Sequence, residues 1–251
     1  MPVDCPGARR NSRCTAAAGC FRLQPTVESL VALSDSYHRG VTSPADAERA
    51  ALCDLLAELG PSAPTLCEGW DTRDLVAHLV VRDRQPMAWA GIAVPQLGRL
   101  AESAMAGLAS RPYGELVDQV RGGAPKWSPF GLPGIKDAAN LLEFVIHHED
   151  VRRAQPGWGP RAVPRSLADQ VWTAVRLTGR AAYRKAPDGV RLRRAGTDSA
   201  STVKGGELVV TVVGDPVELA LFQTGRRRAA RVDLSGDDAA VARLLATSLR
   251  M

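Results

Sequence analysis

The sequence predicts an α+β protein in which a helical bundle is followed by a small C-terminal α/β domain. Up to about residue 160, apolar side chains recur at spacings of three and four, as at Leu55, Leu56 and Leu59, and this period indicates amphipathic helices. After Pro164, runs rich in β-branched residues alternate with helical segments, and these runs indicate strands. Helices in one region and strands in the other are typical of an α+β architecture.

The predicted helices of the bundle begin and end at recognisable residues. The first starts near Ala45 and ends at Gly60, just ahead of a proline. The second starts at Asp71, whose carboxylate can accept hydrogen bonds from the first turn, and it runs to about Gln85, where Pro86 ends it. The remaining helices of this region are predicted over residues 95–110, 113–121 and 135–154.

The predicted elements of the C-terminal region are shorter, apart from one helix over residues 166–185. Gly205-Gly206 is interpreted as a turn between strands, because two glycines in succession interrupt a run of strand-forming residues. The other elements are three strands over residues 190–194, 208–213 and 232–234 and two helices over residues 215–224 and 237–249.

These patterns divide the chain into three parts. Residues 1–42 lack apolar periodicity and are expected to be a disordered tail. An alternative start at Val41 would place residues 1–40 outside the native protein. Residues 43–160 are expected to form the helical bundle, and residues 161–251 are expected to form the small α+β domain.

Composition and charge narrow the classes of function. The chain has 251 residues, of which 45% are hydrophobic and 24% are charged, as in ordinary globular proteins and unlike fibrous or disordered ones. Only 5% of the residues are aromatic, which argues against a nucleic-acid partner whose bases stack on the protein. The formal net charge is +5, and the densest basic run is Arg226–Arg228, for which a solvated face and a ligand clamp both stay open.

The cysteines and the apolar runs bear on the cellular compartment. Five cysteines, an odd number in a chain of this length, argue against a disulfide framework, so we expect the reducing cytoplasm. The run Leu75–Val81 is interrupted by His78 and is too short to span a bilayer, so no membrane partner is expected. Cys53 is interpreted as a core thiol, and Cys67 as a loop thiol, with an approach to the candidate site as the alternative.

Histidine and acidic residues form a candidate metal site. Glu143 and His147 are four residues apart, so one helical face carries both, and Asp150 follows three residues later. His78 lies on the second helix, and in an antiparallel bundle it would meet this pair in the core. Two imidazoles and a carboxylate are a zinc set that leaves an open position. A salt bridge, a hydrogen-bonded cluster without metal, and His148 in place of His147 stay open as alternatives.

Two segments resemble the signatures of a known superfamily. Gly69–Leu79 reads GWDTRDLVAHL and resembles the first signature of the DinB-like superfamily, in its mycothiol-dependent maleylpyruvate isomerase-like metal-binding branch. Glu143–Asp150 reads EFVIHHED and resembles the second signature, and Gly214–Arg226 is similar to the C-terminal domain that accompanies it. The resemblance covers about residues 43–251 and is strongest to an actinobacterial subgroup described only as metal-binding, of which residues 147–158 are typical.

The resemblance implies a DinB-like four-helix bundle that binds a divalent metal, normally zinc, through His78, Glu143 and His147. It implies a supporting role for Asp150, which would accept a hydrogen bond from a ligating imidazole. Arg226 falls where the family has a Gly-Arg pair, and it is expected to bind an anionic substrate or the carboxylate of a thiol. Members with an assigned activity use a low-molecular-weight thiol, which implies mycothiol as a co-substrate.

The function predicted on this basis is that of a divalent-metal-binding protein similar to mycothiol-dependent isomerases and S-transferases. The metal would activate a low-molecular-weight thiol or a water molecule, and the partners would be that thiol and a small substrate. The alternative is a non-catalytic regulatory module that binds a metal or a ligand. The sequence predicts no particular substrate, oligomeric state or catalytic side chain.

Overall fold

The computed structural model describes residues 43–85, 98–108, 110–131 and 135–249. Within these ranges the chain forms eight α-helices and one four-stranded sheet, and the predicted α+β class is confirmed. The predicted tail and the predicted start of the third helix lie outside the described residues. No helix among those described has the length and the apolar character needed to cross a lipid bilayer.

The described helices that precede residue 160 start and end close to the predicted bounds. They are α1 (Pro44–Leu59), α2 (Thr72–Arg84), α3 (Gly98–Leu108), α4 (Tyr113–Arg121) and α5 (Ile135–Arg152). The hydroxyl of Ser43 caps α1 by accepting a hydrogen bond from the backbone N–H of Asp46 at 3.1 Å. Asp71 and Asp74 form a reciprocal capping box at the start of α2, which confirms the predicted start of that helix.

Helix α5 lies between two hydrophobic cores. α1 packs against α4 and α5, and α2 packs against α3 and α4. These helices share one buried cluster, which includes Leu79 of α2 and Phe144 of α5. The next residue, Val145, belongs to a second cluster together with side chains of the C-terminal region. Residues from Thr42 onward form one compact unit. The arrangement as a four-helix bundle and the domain boundary near residue 160 stay predictions.

The C-terminal region forms a four-stranded mixed sheet with helices packed against it. Its strand order is β2-β1-β3-β4, with a parallel central pair and two antiparallel outer pairs. β2 was not predicted from the sequence, because only Val203 of its five residues is buried and the segment lacks an apolar run. The elements are α6 (Arg165–Ala182), β1 (Gly189–Arg194), β2 (Ala200–Lys204), β3 (Val209–Gly214), α7 (Pro216–Gln223), β4 (Asp233–Ser235) and α8 (Asp238–Ala246).

A sharp turn after α7 directs the chain back toward α5. Gly225 adopts a φ of 90°, a left-handed conformation that favours glycine. A Cβ atom at this position would also lie 2.8 Å from the carbonyl oxygen of Leu249, so the close approach of the two segments requires the absence of a side chain. The turn is followed by Arg226, whose guanidinium group contacts Asp150 of α5.

Candidate metal centre

The structure brings His78, Glu143 and His147 together between α2 and α5. The Nε2 atom of His78 lies 3.1 Å from Oε1 of Glu143, and Nε2 of His147 lies 3.4 Å from the same oxygen. One ligand atom from each of the three residues lies within 4.8 Å of the other two. The predicted helical spacing therefore has the predicted consequence, because Glu143 and His147 share a face and His78 meets them from the neighbouring helix.

Apolar packing holds the two imidazoles in place. His78 and His147 are only 7% and 8% exposed, so both rings are essentially buried. Their ring centroids are 5.3 Å apart, and the indole of Trp70 lies 5.1 Å from the ring of His78. Leu75 lies three residues before His78 and belongs to the buried cluster of the helical region, so the helix is anchored on the same side as the histidine.

Arg82 is a fourth residue of the cluster to which the sequence assigned no role. It follows His78 by four residues on α2, and its Nε lies 3.4 Å from Oε1 of Glu143. Its Nη1 donates a hydrogen bond to Oδ1 of Asn140 at 2.8 Å, and its guanidinium stacks over the ring of Phe130 at 3.7 Å from the centroid. Arg82 lies four residues after His78, so the sequence could have predicted that both side chains share one face of the helix. It was not predicted that the positive charge of Arg82 would lie beside the carboxylate of Glu143.

The charges of the cluster are set by burial and by these neighbours. Burial lowers the pKa of His78, which favours the neutral imidazole. Burial alone would raise the pKa of Glu143, but the charge of Arg82 and hydrogen bonds with both histidines hold it well below its ordinary value. Burial also disfavours a charged His147, yet hydrogen bonds with Asp150, Cys67 and Glu143 raise its pKa well above its ordinary value. The cluster thus contains a carboxylate that stays ionised.

Asp150 connects His147 to Arg226. Its Oδ2 lies 2.9 Å from Nδ1 of His147 and accepts a hydrogen bond from Nη2 of Arg226 at 2.7 Å, while Oδ1 accepts one from Nε of Arg226 at 2.9 Å. The carboxylate is fully buried, and although burial opposes its ionisation, His147 and Arg226 lower its pKa to about 2. Asp150 therefore contacts His147, and its role in supporting a metal ligand stays a prediction, while the Arg226 edge that would bind an anion is occupied by Asp150.

Cys67 approaches the cluster, which was the alternative interpretation of this loop thiol. Its Sγ donates a hydrogen bond to Oδ2 of Asp150 at 3.2 Å and lies 4.0 Å from Nδ1 of His147. Nη2 of Arg226 donates to the same sulfur at 3.5 Å. The loop is held there because the backbone N–H of Leu66 donates to the carbonyl oxygen of Asp150 at 3.0 Å. By contrast, Cys53 is a fully buried core thiol, as predicted.

Cys67, His147 and Asp150 form a second group of donor atoms that lie within 4.8 Å of one another. A cation there would lie against the guanidinium of Arg226, which already pairs with Asp150. Both carboxylate oxygens of Asp150 already accept hydrogen bonds from that guanidinium, which would compete with a cation for them. The group of His78, Glu143 and His147 contains two imidazoles and a carboxylate, which are ligands that zinc accepts. Of the two groups, the predicted one is therefore the better candidate.

His148 does not belong to the cluster. Its Nδ1 lies 2.8 Å from Oε1 of Glu48 on α1, on the other side of α5. Glu48 also pairs with Arg161, and that pairing together with the hydrogen bond from His148 lowers its pKa against the effect of burial. The structure therefore separates the two adjacent histidines: His147 faces Glu143, and His148 takes part in an ion-pair network.

The cluster lies in the wall of a large cavity. Its volume is about 1220 Å³, and its lining combines the side chains of the cluster with parts of the turn after α7 and of the C-terminal segment. Apolar side chains such as Leu66, Trp70, Ile146 and Leu249 contribute to the wall beside polar and charged ones. Because polar and charged side chains make up much of this wall, the cavity would suit a small molecule that carries polar or charged groups.

Solved structures with a similar fold are those of a mycothiol-dependent enzyme. Two of them are crystal structures of a mycothiol-dependent maleylpyruvate isomerase, one being a histidine-to-alanine mutant. Each aligns over 76% of this chain and 90% of the other with a TM-score of 0.53, at 15% and 14% sequence identity. The likeness is one of fold. No protein-family model matches the sequence, and no curated protein matches it.

Replacing Asp150 with asparagine should weaken metal binding without abolishing it. Asparagine keeps the size of the side chain but removes the charge that orients His147, and the loss of such a supporting residue lowers metal affinity about 10–100-fold. Competition with a chromophoric chelator measures the change. The matched control is Asp54→Asn, because Asp54 lies in an exposed ion pair with Arg121 and should leave the affinity unchanged. Equal affinities for the Asp150 variant and the control would contradict the supporting role.

Proposed function

We propose that His78, Glu143 and His147 bind one divalent metal ion, with zinc as the ion that suits the donor set. Two buried imidazole nitrogens and one ionised carboxylate oxygen converge within 4.8 Å in the wall of the cavity. This convergence carries the proposal, because two imidazole nitrogens and a carboxylate oxygen aimed at one point are a donor set that zinc accepts. Three protein ligands would leave a position that faces the cavity, as in catalytic zinc sites.

The residues around the proposed ligands have defined tasks. Asp150 fixes the orientation of the His147 ring through Nδ1, so that Nε2 points toward Glu143. Arg226 neutralises Asp150 through two parallel hydrogen bonds and keeps its carboxylate in place. Arg82 holds Glu143 as a carboxylate through its positive charge, with Nε 3.4 Å from Oε1. When bound, the metal would supply a Lewis acid that lowers the pKa of a thiol or a water molecule.

We propose further that the protein is an isomerase or S-transferase that uses a low-molecular-weight thiol such as mycothiol. The fold shared with mycothiol-dependent maleylpyruvate isomerase supports this proposal, as does the size of the cavity. An external thiol also fits the chemistry of the described residues, because the Cys67 sulfur in the cavity wall is already hydrogen-bonded to Asp150 and contacted by Arg226. The alternative is a module that binds a metal without catalysis.

Cobalt substitution separates these two functions. Adding mycothiol to the cobalt-loaded protein should produce a strong absorption band typical of sulfur-to-cobalt charge transfer. The pH midpoint of that band should lie below the roughly 8.5 of a free thiol, because coordination favours the thiolate. S-methylated mycothiol, which cannot form a thiolate, serves as the control and should give no band. A cobalt spectrum that mycothiol leaves unchanged would argue for the non-catalytic module.

A further inference from the structure

The three consecutive arginines after Gly225 have different environments. Arg226 is committed to Asp150, and Arg228 is exposed. Arg227 is only partly exposed, and its Nη1 donates a hydrogen bond to the carbonyl oxygen of Leu245 at the end of α8. Its Nε and Nη2 atoms are buried and have no hydrogen-bond partner among the described residues. Of the three side chains, Arg227 is therefore the one with buried donor atoms that have no hydrogen-bond partner among the described residues.

The unpartnered atoms of Arg227 form a specific recognition edge. Nε–H and Nη2–H lie in the guanidinium plane and point in the same direction. Together they can donate two parallel hydrogen bonds to the two oxygens of a carboxylate. Arg226 uses the equivalent two atoms for Asp150, at 2.9 and 2.7 Å. A buried charged donor without an acceptor is strongly unfavourable, and burial accordingly lowers the pKa of Arg227. The edge is thus shaped for an oxyanion that the described residues do not provide.

A second buried donor belongs to the apolar cluster that Arg227 contacts. Tyr183, at the end of α6, is fully buried, and its hydroxyl has no hydrogen-bond partner among the described residues. Burial raises the pKa of this phenol, and the positive charge of Arg227 acts against that rise. The guanidinium also lies 5.3 Å from the centroid of the Phe222 ring, in the same apolar cluster as Tyr183. Arg227 therefore lies against the apolar cluster to which Tyr183, with its unpartnered hydroxyl, also belongs.

We propose that Arg227, assisted by Tyr183, binds a single carboxylate or a similar small oxyanion. Arg227 is part of the cavity wall, and the proposal places the anionic group of a ligand in the cavity against its guanidinium. The same chemistry would also bind a free carboxylate ion. The site involves none of the proposed metal ligands, and it can therefore be tested on metal-free protein, independently of the proposed function.

The test compares ligands that differ only in charge. 3-Mercaptopropionate and its methyl ester are titrated calorimetrically into the metal-free full-length protein at constant ionic strength, and acetate is titrated as a free carboxylate. We expect the acid to bind about 10–100-fold more tightly than the ester, which is the usual effect of one charge-assisted contact. Binding of both the acid and acetate would identify a free-anion site, whereas binding of the acid without acetate would identify a site for the carboxylate of a cavity ligand, and both results support the proposal.

Variants assign the preference to Arg227. Arg227→Met should remove it, so that acid and ester bind within about twofold of each other, and Tyr183→Phe should reduce it by about 2–10-fold. Arg228→Met is the matched control and should keep the full preference. Arg227→Lys retains the charge without the paired N–H groups and should give an intermediate preference, which covers the case in which the methionine variant is unstable. An equal affinity of the unaltered protein for acid and ester, or an unchanged preference in both Arg227 variants, would overturn the proposal.

Discussion

Alanine in place of His78 or His147 should abolish stoichiometric zinc binding. Each substitution removes one of the two imidazoles that lie 3.1 and 3.4 Å from Oε1 of Glu143 and leaves two protein ligands at most. The loss of a supporting residue lowers the affinity for the metal about 10–100-fold. The loss of a direct ligand should lower it by more than that. The zinc content of the purified variants, measured by inductively coupled plasma mass spectrometry, should fall from near one ion per chain to background.

His148→Ala provides the control for both variants. The substitution removes the same group from the neighbouring position, but the His148 ring lies 2.8 Å from Glu48 and outside the cluster. Glu48 keeps its ion pair with Arg161 in this variant, so the fold should persist. Zinc content close to that of the unaltered protein is expected. A His148 variant that loses its zinc while the His147 variant retains it would show that the ligand face of α5 is displaced by one residue.

The helical part of the fold and the candidate cluster could be predicted because both depend on local spacing. Apolar periodicity and capping residues are properties of adjacent positions, and they gave the bounds of α2 through Asp71 and Gln85 to within a residue or so. The pair Glu143 and His147 follows from one helical turn in the same way. Only the meeting with His78, 65 residues earlier than Glu143, required an assumption about how two helices pack.

The surroundings of the cluster could not be predicted because they depend on loops that meet through tertiary packing. Cys67 contacts Asp150 across 83 residues of sequence and Arg226 across 159. Nothing local in these segments indicates their partners. Arg226 is an example, because it was expected to bind an anionic substrate. Its position in a motif identifies the arginine but does not identify the carboxylate with which it pairs. In the structure that carboxylate is Asp150, and the neighbouring Arg227 keeps the unpartnered edge.

A buried network of charged side chains, formed by Arg153, Glu149 and Glu218, stabilises the turn that contains Arg226. Arg153, in the turn that follows α5, pairs with Glu149 and, through two hydrogen bonds of 2.9 and 2.7 Å, with Glu218 of α7. It also donates to the carbonyl oxygen of Ala229 at 2.6 Å, while Glu218 accepts a hydrogen bond from the backbone N–H of Arg231 at 2.8 Å. Both ends of the segment after Arg226 are thus tied to the same pair of charged side chains. Because this pair of side chains, Arg153 and Glu218, is buried, we expect the removal of either one to lower the free energy of unfolding strongly.

Arg153→Met should lower the free energy of unfolding by about 3–5 kcal/mol, which is the usual cost of removing one partner from a buried ion pair. Glu218 is only 7% exposed, so its carboxylate would stay buried with the backbone N–H of Arg231 as a remaining donor. Glu149 would keep Arg152 and Arg161, and for this reason the main loss falls on Glu218. Urea unfolding followed by circular dichroism measures the difference.

Two further variants distinguish a buried charge effect from a loss of packing. Glu218→Gln in the Arg153→Met background removes the uncompensated charge but keeps an oxygen that can accept from Arg231, so it should recover at least about 1 kcal/mol of the loss. Arg165→Met makes the same substitution at a side chain that is 92% exposed and 3.8 Å from its acidic partner, and it should change stability by no more than about 0.5 kcal/mol. If Arg153→Met were as mild as Arg165→Met, the network would have no structural role. If the double variant were no more stable than Arg153→Met alone, the loss would come from packing, because the charge of Glu218 would then make no difference.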